Sequence, residues 1–173
     1  MKLYKPSLRF RKSWEAALKE FNAEHARGFW NVPEKPTSIH EYIRRVRDHQ
    51  KGRNLPEYWV PATTYWLIDK GKFVGHCNIR HKLTPKLRTI GGHIGYFIRP
   101  GERRKGYGTK ILELALKKAR HLGLKKVMVT CNDDNIGSQK IIEKNGGKLK
   151  DKVQTEEGLV RHYWVEIREL LLL

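Results

Sequence analysis

The feature that most constrains this chain is a change of hydrophobic period near Ala62. Before it, apolar residues recur three and four positions apart. Trp14, Ala17, Leu18, Phe21 and His25 share one face, which predicts an amphipathic helix over 12–26 that stops near Gly28. Pro33 and Pro36 then hold a loop. Ser38-Ile39-His40-Glu41 has the S-x-x-E form of a capping box, and Ile39, Tyr42, Ile43 and Val46 fall on one face of a helix ending near Gly52. After Ala62 the period is two: Thr63, Tyr65 and Leu67 alternate, Asp69-Lys70-Gly71-Lys72 supplies a turn, and Phe73, Gly75, Cys77 and Ile79 alternate again. That pattern is an antiparallel hairpin.

Beyond a Thr84-Pro85 loop, 89–99 reads as a further strand, in which Gly91, Gly92 and Gly95 are costly unless backbone or ligand approaches closely. A long helix over 106–122 turns Ile111, Leu112, Ala115, Leu116 and Ala119 inward, and Gly123 with Leu124 ends it. A buried strand over 126–131 follows, then a short helix capped within Asn132-Asp133-Asp134-Asn135 and running to Lys144. Strands over 148–154 and 159–167 pair around Thr155-Glu156-Glu157-Gly158. Helices followed by mixed β and α, in 173 residues without repeat or linker, predict one α/β domain over 1–173, with a helical part at 1–59 and a core at 60–167.

Charge narrows the partners: 36 Lys+Arg against 18 Asp+Glu leave a net +18, which predicts an anionic ligand. The basic residues are spread along the chain, as in Arg9-Phe10-Arg11-Lys12, Arg44-Arg45 and Arg103-Arg104-Lys105, and form no tail. Nucleic acid is therefore permitted but not favoured over a solvated basic surface with one anion site. Cys77 and Cys131 stand outside any CxxC pair, excluding a disulfide scaffold and a cysteine-rich zinc site, and His76, His81 and His162 lack metal-ligand spacing, so no metal is expected. No apolar run approaches the ~20 residues that span a bilayer. Met1 to Pro6 has no signal-peptide core and the Leu170 to Leu173 run is too short for either role, so a cytoplasmic protein without a membrane partner is expected.

The segment that carries chemistry is 95–109, a strand, a basic glycine loop and a helix start. Amides at a helix N-terminus lack intrahelical partners and sit at the positive end of the dipole, and Gly106 and Gly108 let backbone approach a ligand. This is a pyrophosphate cradle or, equally, a plain strand-to-helix turn. The loop lacks both GxxxxGK[ST] and GxGxxG. Arg103-x-x-Gly106-x-Gly108 resembles the R/Q-x-x-G-x-G/A acetyl-CoA motif of the GNAT superfamily of N-acetyltransferases. The resemblance covers about 60–167 and includes Asn135-x-x-Ser138, which is similar to the family's N-x-x-A/S segment after its fifth strand.

The resemblance implies a central, twisted, mixed sheet flanked by helices, with acetyl-CoA wedged where strands four and five splay. Arg103, Arg104, Lys105, Gly106, Tyr107, Gly108 and Thr109 would meet the pyrophosphate, Phe97 and Ile98 the pantetheine arm, and Asn135 and Ser138 its other side. An N–H around Ile98 would meet the developing oxyanion, and His93 would serve as general base in a direct transfer to a primary amine within a ternary complex. The family's tyrosine acid, seven residues after the Asn, is replaced by Ile142, and Cys131 reads as packing rather than an acyl carrier. The acceptor is expected to be an amine-bearing small molecule or protein amine in a cleft drawn from Trp14, Phe21, Phe29, Trp30, Trp59, Tyr65 and Trp66, most of them core. A homodimer is compatible with the sequence. The rival from another class is a basic RNA- or ribosome-associated binding module.

Overall fold

The computed structural model describes residues 1–24, 36 and 38–167. The expectations for His25, Gly28, Phe29, Trp30, Pro33 and Leu170 to Leu173 lie outside the described residues.

Helix α1 (Arg11–Ala23) buries Trp14, Ala17 and Phe21, and α2 (Ile39–Gln50) starts at the expected cap, where Ser38 Oγ accepts from the Glu41 N–H at 3.2 Å. Both lie on one face of a sheet that begins with β1 (Lys2–Tyr4), β2 (Ala62–Asp69) and β3 (Lys72–Arg80). Strand β1, three residues long, is too short to show a period and was not expected. The β2–β3 turn has Lys70 and Gly71 at φ 46° and 79°, the pair of positive angles that a twisted two-residue hairpin needs. Trp14, Tyr42 and Trp66 stack at centroid separations of 5.3, 5.6 and 6.1 Å. With Phe21 and Tyr65, they are core rather than cleft.

The strand expected over 89–99 begins later. Thr84-Pro85 opens a short helix, α3 (Pro85–Thr89), because Thr84 Oγ1 accepts from the Leu87 N–H at 3.3 Å and proline suits the first helical position. Gly91 and Gly92, at φ 108° and 57°, lead into β4 (Ile94–Ile98), which pairs with β3 and completes the order β1-β2-β3-β4. Helix α4 (Tyr107–His121) packs Ile111, Leu112, Ala115 and Ala119 against the opposite face from α1 and α2. Then come β5 (Lys126–Asn132), α5 (Ile136–Lys144), β6 (Lys148–Thr155) and β7 (Gly158–Glu166), the strands in the order β5-β7-β6. Every ladder within the two sheets is antiparallel.

Among the described residues the sheets are joined where β4 begins. The His93 N–H donates to Met128 O at 2.7 Å, and the Met128 N–H donates back to His93 Nδ1 at 3.0 Å. A Cβ on Gly92 would stand 2.5 Å from Met128 O, so of the three glycines counted as costly in the sequence Gly92 is explained by the close approach of β5, while Gly91 faces Leu87 and Arg80. C-terminal to the joint β4 pairs with β3 alone, and β4 and β5 part. None of the described helices is long and apolar enough to cross a membrane. No group of three or more potential metal ligands occurs among the described residues.

Candidate active site

Strand β4 presents an open edge to the gap. Two bonds, Arg99 N–H to Val74 O at 2.9 Å and Arg80 N–H to His93 O at 2.8 Å, set the phase of the β3–β4 ladder. In antiparallel pairing, alternate residues direct both backbone groups to the partner. Gly95 and Phe97 therefore point to β3, while Tyr96 and Ile98 turn their N–H and C=O groups to the side where β5 diverges. Phe97, expected to pair with the pantetheine arm, has its backbone directed to His76, whereas Tyr96 and Ile98 direct theirs to the gap.

A 3-10 turn (Pro100–Glu102) carries β4 into the basic loop. Arg104 has φ 63° and Gly106 has φ 83°, and α4 starts without a side-chain cap. The amides of Arg104, Lys105 and Gly106 make no hydrogen bond to another described residue. Those of Tyr107, Gly108 and Thr109 lie in the first turn, where the helix supplies no acceptor. A Cβ on Gly106 would meet nothing within 4 Å, so the space before these donors is open. Donors, dipole and space together fit an anion such as a pyrophosphate.

The basic side chains divide. Arg103 makes a double hydrogen bond to Glu24 at 2.9 and 2.7 Å, and Lys105 bonds Glu102 Oε2 at 3.0 Å. Glu102 also pairs with Lys72, and these two lysines hold its carboxyl below the usual range. Arg104 has no carboxylate partner among the described residues and is the cation left for a ligand. Tyr107 donates to Asp69 Oδ2 at 2.9 Å, which pushes its phenol pKa up. Gly108 is a packing residue, since its Cβ would stand 2.5 Å from Ile141 Cδ1. Asn135 caps α5, its Oδ1 accepting from the Ser138 N–H at 3.0 Å.

His93 is placed differently from the expected base. The Nδ1 lone pair accepts the Met128 N–H, so in the neutral ring the proton is on Nε2 and no ring nitrogen is left to receive another. Burial, with Arg88 and Arg80 nearby, lowers the pKa to about 4. These contacts describe a joint between sheets.

Tyr96 lies midway along β4. Its side chain packs on the α4 face of β4, and its hydroxyl is buried without a hydrogen-bond partner. Ser138 of α5 lies near enough to favour the ionised phenol and Cys131 of β5 is a further neighbour, but burial dominates and raises the pKa to about 12. Alternation in 94–98 was the signal that could have found it. On the opposite face a cavity of about 250 Å³ is lined by Trp59, Asn78, Arg80, Leu87 and Glu157 among others. It borders β4, because a Cβ on Gly95 would come within 4.0 Å of Arg80 Nη1. Its residues come from separate segments, and no local motif announces it.

The family model for the acetyltransferase (GNAT) domain matches residues 9–148, and the chain belongs to the GNAT acetyltransferase family. Among solved structures it is similar to RimL, the ribosomal L7/L12 alpha-N-protein acetyltransferase, in complex with coenzyme A, at 17% identity over 95% of this chain and 92% of that one, with TM-score 0.65. It is also similar to Mycobacterium smegmatis RimJ in complex with CoA-disulfide, at 15% identity, covering 99% and 88%, with TM-score 0.67. A third is the microcin C7 self-immunity acetyltransferase MccE with acetyl-CoA and AMP, at 17% identity, covering 95% and 91%, with TM-score 0.66. A search of curated protein sequences gives no match. The structural likenesses establish the fold, which is the splayed α/β arrangement the motif implied.

Proposed function

We propose that the protein transfers the acetyl group of acetyl-CoA to a primary amine by direct attack in a ternary complex. The observation that carries this reading is the uncapped first turn of α4, with its open amides, placed at the end of a strand whose edge parts from β5. The amides of 104–109 and the Arg104 side chain hold the pyrophosphate, and the outward groups of Tyr96 and Ile98 hold the pantetheine arm. Acetyl-CoA supplies the thioester carbonyl carbon that the amine attacks. Of the outward groups the Tyr96 N–H, the farther from the phosphate loop, is the donor for the carbonyl oxygen as it gains charge, without reorganisation of the strand.

The amine enters through the cavity beside Gly95. Glu157 attracts the ammonium form, and the open mouth lets its proton leave to water. Arg80 and Lys86 line the same cavity, favouring an acceptor with an anionic group near its amine, whether a small molecule or a protein terminus. Solved relatives include both kinds, a ribosomal-protein acetyltransferase and a microcin-immunity enzyme. His93 keeps the sheets joined and takes no proton from the amine. The comparisons lend no support to an RNA- or ribosome-associated binding module.

Thermal melting tests the cofactor reading. Acetyl-CoA should raise Tm by mass action and acetyl-pantetheine, which lacks the nucleotide, should raise it much less. Equal shifts would remove the loop assignment.

A further inference from the structure

The Tyr96 hydroxyl raises a physical question that the fold does not answer. A buried hydroxyl without a partner destabilises the fold, and phenylalanine would fill the same space without that loss. The group is on β4, on the α4 side, with Ser138 and Cys131 as neighbours from across the gap. It therefore reaches toward the elements that bound the parted strands. The sequence position at which relatives carry a tyrosine acid holds Ile142, which is buried in the core and has no proton to give.

We propose that Tyr96 is the proton donor to the departing sulfur, acting from β4. The proposal rests on the acetyltransferase reading. As the bond between the acceptor nitrogen and the acetyl carbon forms, the carbon–sulfur bond breaks with its electron pair on sulfur, and the phenol proton moves to that sulfur. The proton released by the acceptor nitrogen returns to the phenolate by way of solvent or the Ser138 hydroxyl. The products are the acetamide and the free thiol, and nothing else is consumed. Burial raises the phenol pKa to about 12, so the donor carries its proton at neutral pH.

Tyr96→Phe removes one oxygen and separates this role from packing. Four readouts apply. The free variant should melt at or above the wild-type temperature, because an unpartnered group has gone. Its Tm shift with coenzyme A should stay within the range set by the pantetheine and phosphate contacts, while kcat for thiol release, with a panel of small primary amines and peptides bearing free N-termini, should fall roughly 10²- to 10⁴-fold. In wild-type protein carrying ¹³Cζ-tyrosine, the resonance that Tyr96→Phe deletes should move on adding coenzyme A and move much less on adding desulfo-coenzyme A, a comparison independent of turnover.

A variant with near wild-type kcat, or a Tyr96 resonance that responds equally to the two ligands, overturns the proposal. So does a Tyr96→Phe protein that melts lower and loses coenzyme A binding in proportion to activity, which would make the residue a packing element. Wild-type protein that releases no thiol with any amine refutes the acetyltransferase reading itself, and this proposal with it. Wild-type turnover matched by the variant refutes Tyr96 alone.

Discussion

Replacing Gly92 with alanine should separate the two sheets at their only backbone joint among the described residues. Gly92 has φ 57°, and an L-residue held there costs about 1–2 kcal/mol. The added Cβ would stand 2.5 Å from Met128 O, against an ordinary contact of about 3.5 Å, so one backbone must move by about 1 Å. That movement breaks or stretches the His93 N–H to Met128 O bond of 2.7 Å and the Met128 N–H to His93 Nδ1 bond of 3.0 Å. Each buried group left unpaired costs about 1–3 kcal/mol. The total is about 3–8 kcal/mol, a large part of the 5–15 kcal/mol that typically holds a domain together. Urea unfolding followed by fluorescence measures it, with Gly71→Ala as the control. Gly71 has φ 79° and open space around its missing Cβ, so it reports backbone strain alone. A Gly92→Ala loss no greater than the Gly71→Ala loss, at equal m, would refute the view of 92–93 as a tight joint.

Other outcomes follow from the same contacts. His93→Ala should lower the urea midpoint, since the Met128 N–H loses its acceptor, and should leave any acid limb of kcat/KM in place; an unchanged midpoint with the limb removed would restore the histidine as base. His93 titrates near 4 and His76 near 3 instead of 6.5, because burial disfavours the charged rings. Below 6.5 the unfolded chain binds protons that the folded chain refuses, so these rings make stability fall as pH drops from about 6.5 toward 4 and add no slope above it. Equal urea midpoints at pH 7 and pH 5 would contradict this. Arg104→Ala should weaken acetyl-CoA binding with little change in stability, because Arg104 has no carboxylate partner among the described residues; Arg103→Ala should change stability by about 0–1 kcal/mol through its exposed pair with Glu24, and a larger binding loss there than at Arg104 would reverse the assignment.

Much of this fold was legible because its elements carry clear periods. The 3/4 spacing of Trp14, Ala17 and Phe21 and the alternation through 63–79 mark faces that bury large side chains, and burial settles both period and register. The strand expected over 89–99 holds for 94–98 and starts late because an N-cap threonine followed by proline opens a helix through Thr89 as readily as it opens a loop. The anion loop was visible in Arg103, Gly106 and Gly108, but the sequence did not separate their duties. Gly106 faces open space, Gly108 packs on Ile141, and Arg103 is spent on Glu24, a contact 79 residues away in the chain. His93 looked available because a ring on a strand says nothing about which backbone N–H will reach its lone pair. The acceptor cavity had no local signature, since Trp59, Asn78, Leu87 and Glu157 become neighbours only through sheet order and the β6–β7 turn.

The central claim is that this cleft moves an acetyl group from coenzyme A to nitrogen. Incubating the protein with acetyl-CoA and an amine panel that includes acceptors with and without a neighbouring anionic group, then reading products by mass spectrometry, tests it most directly. At least one acceptor should become heavier by a single acetyl group, in step with free coenzyme A thiol, and acceptors with the anionic group should be favoured. Thiol released without an acetylated amine, or acetyl-CoA recovered intact from every reaction, would contradict it.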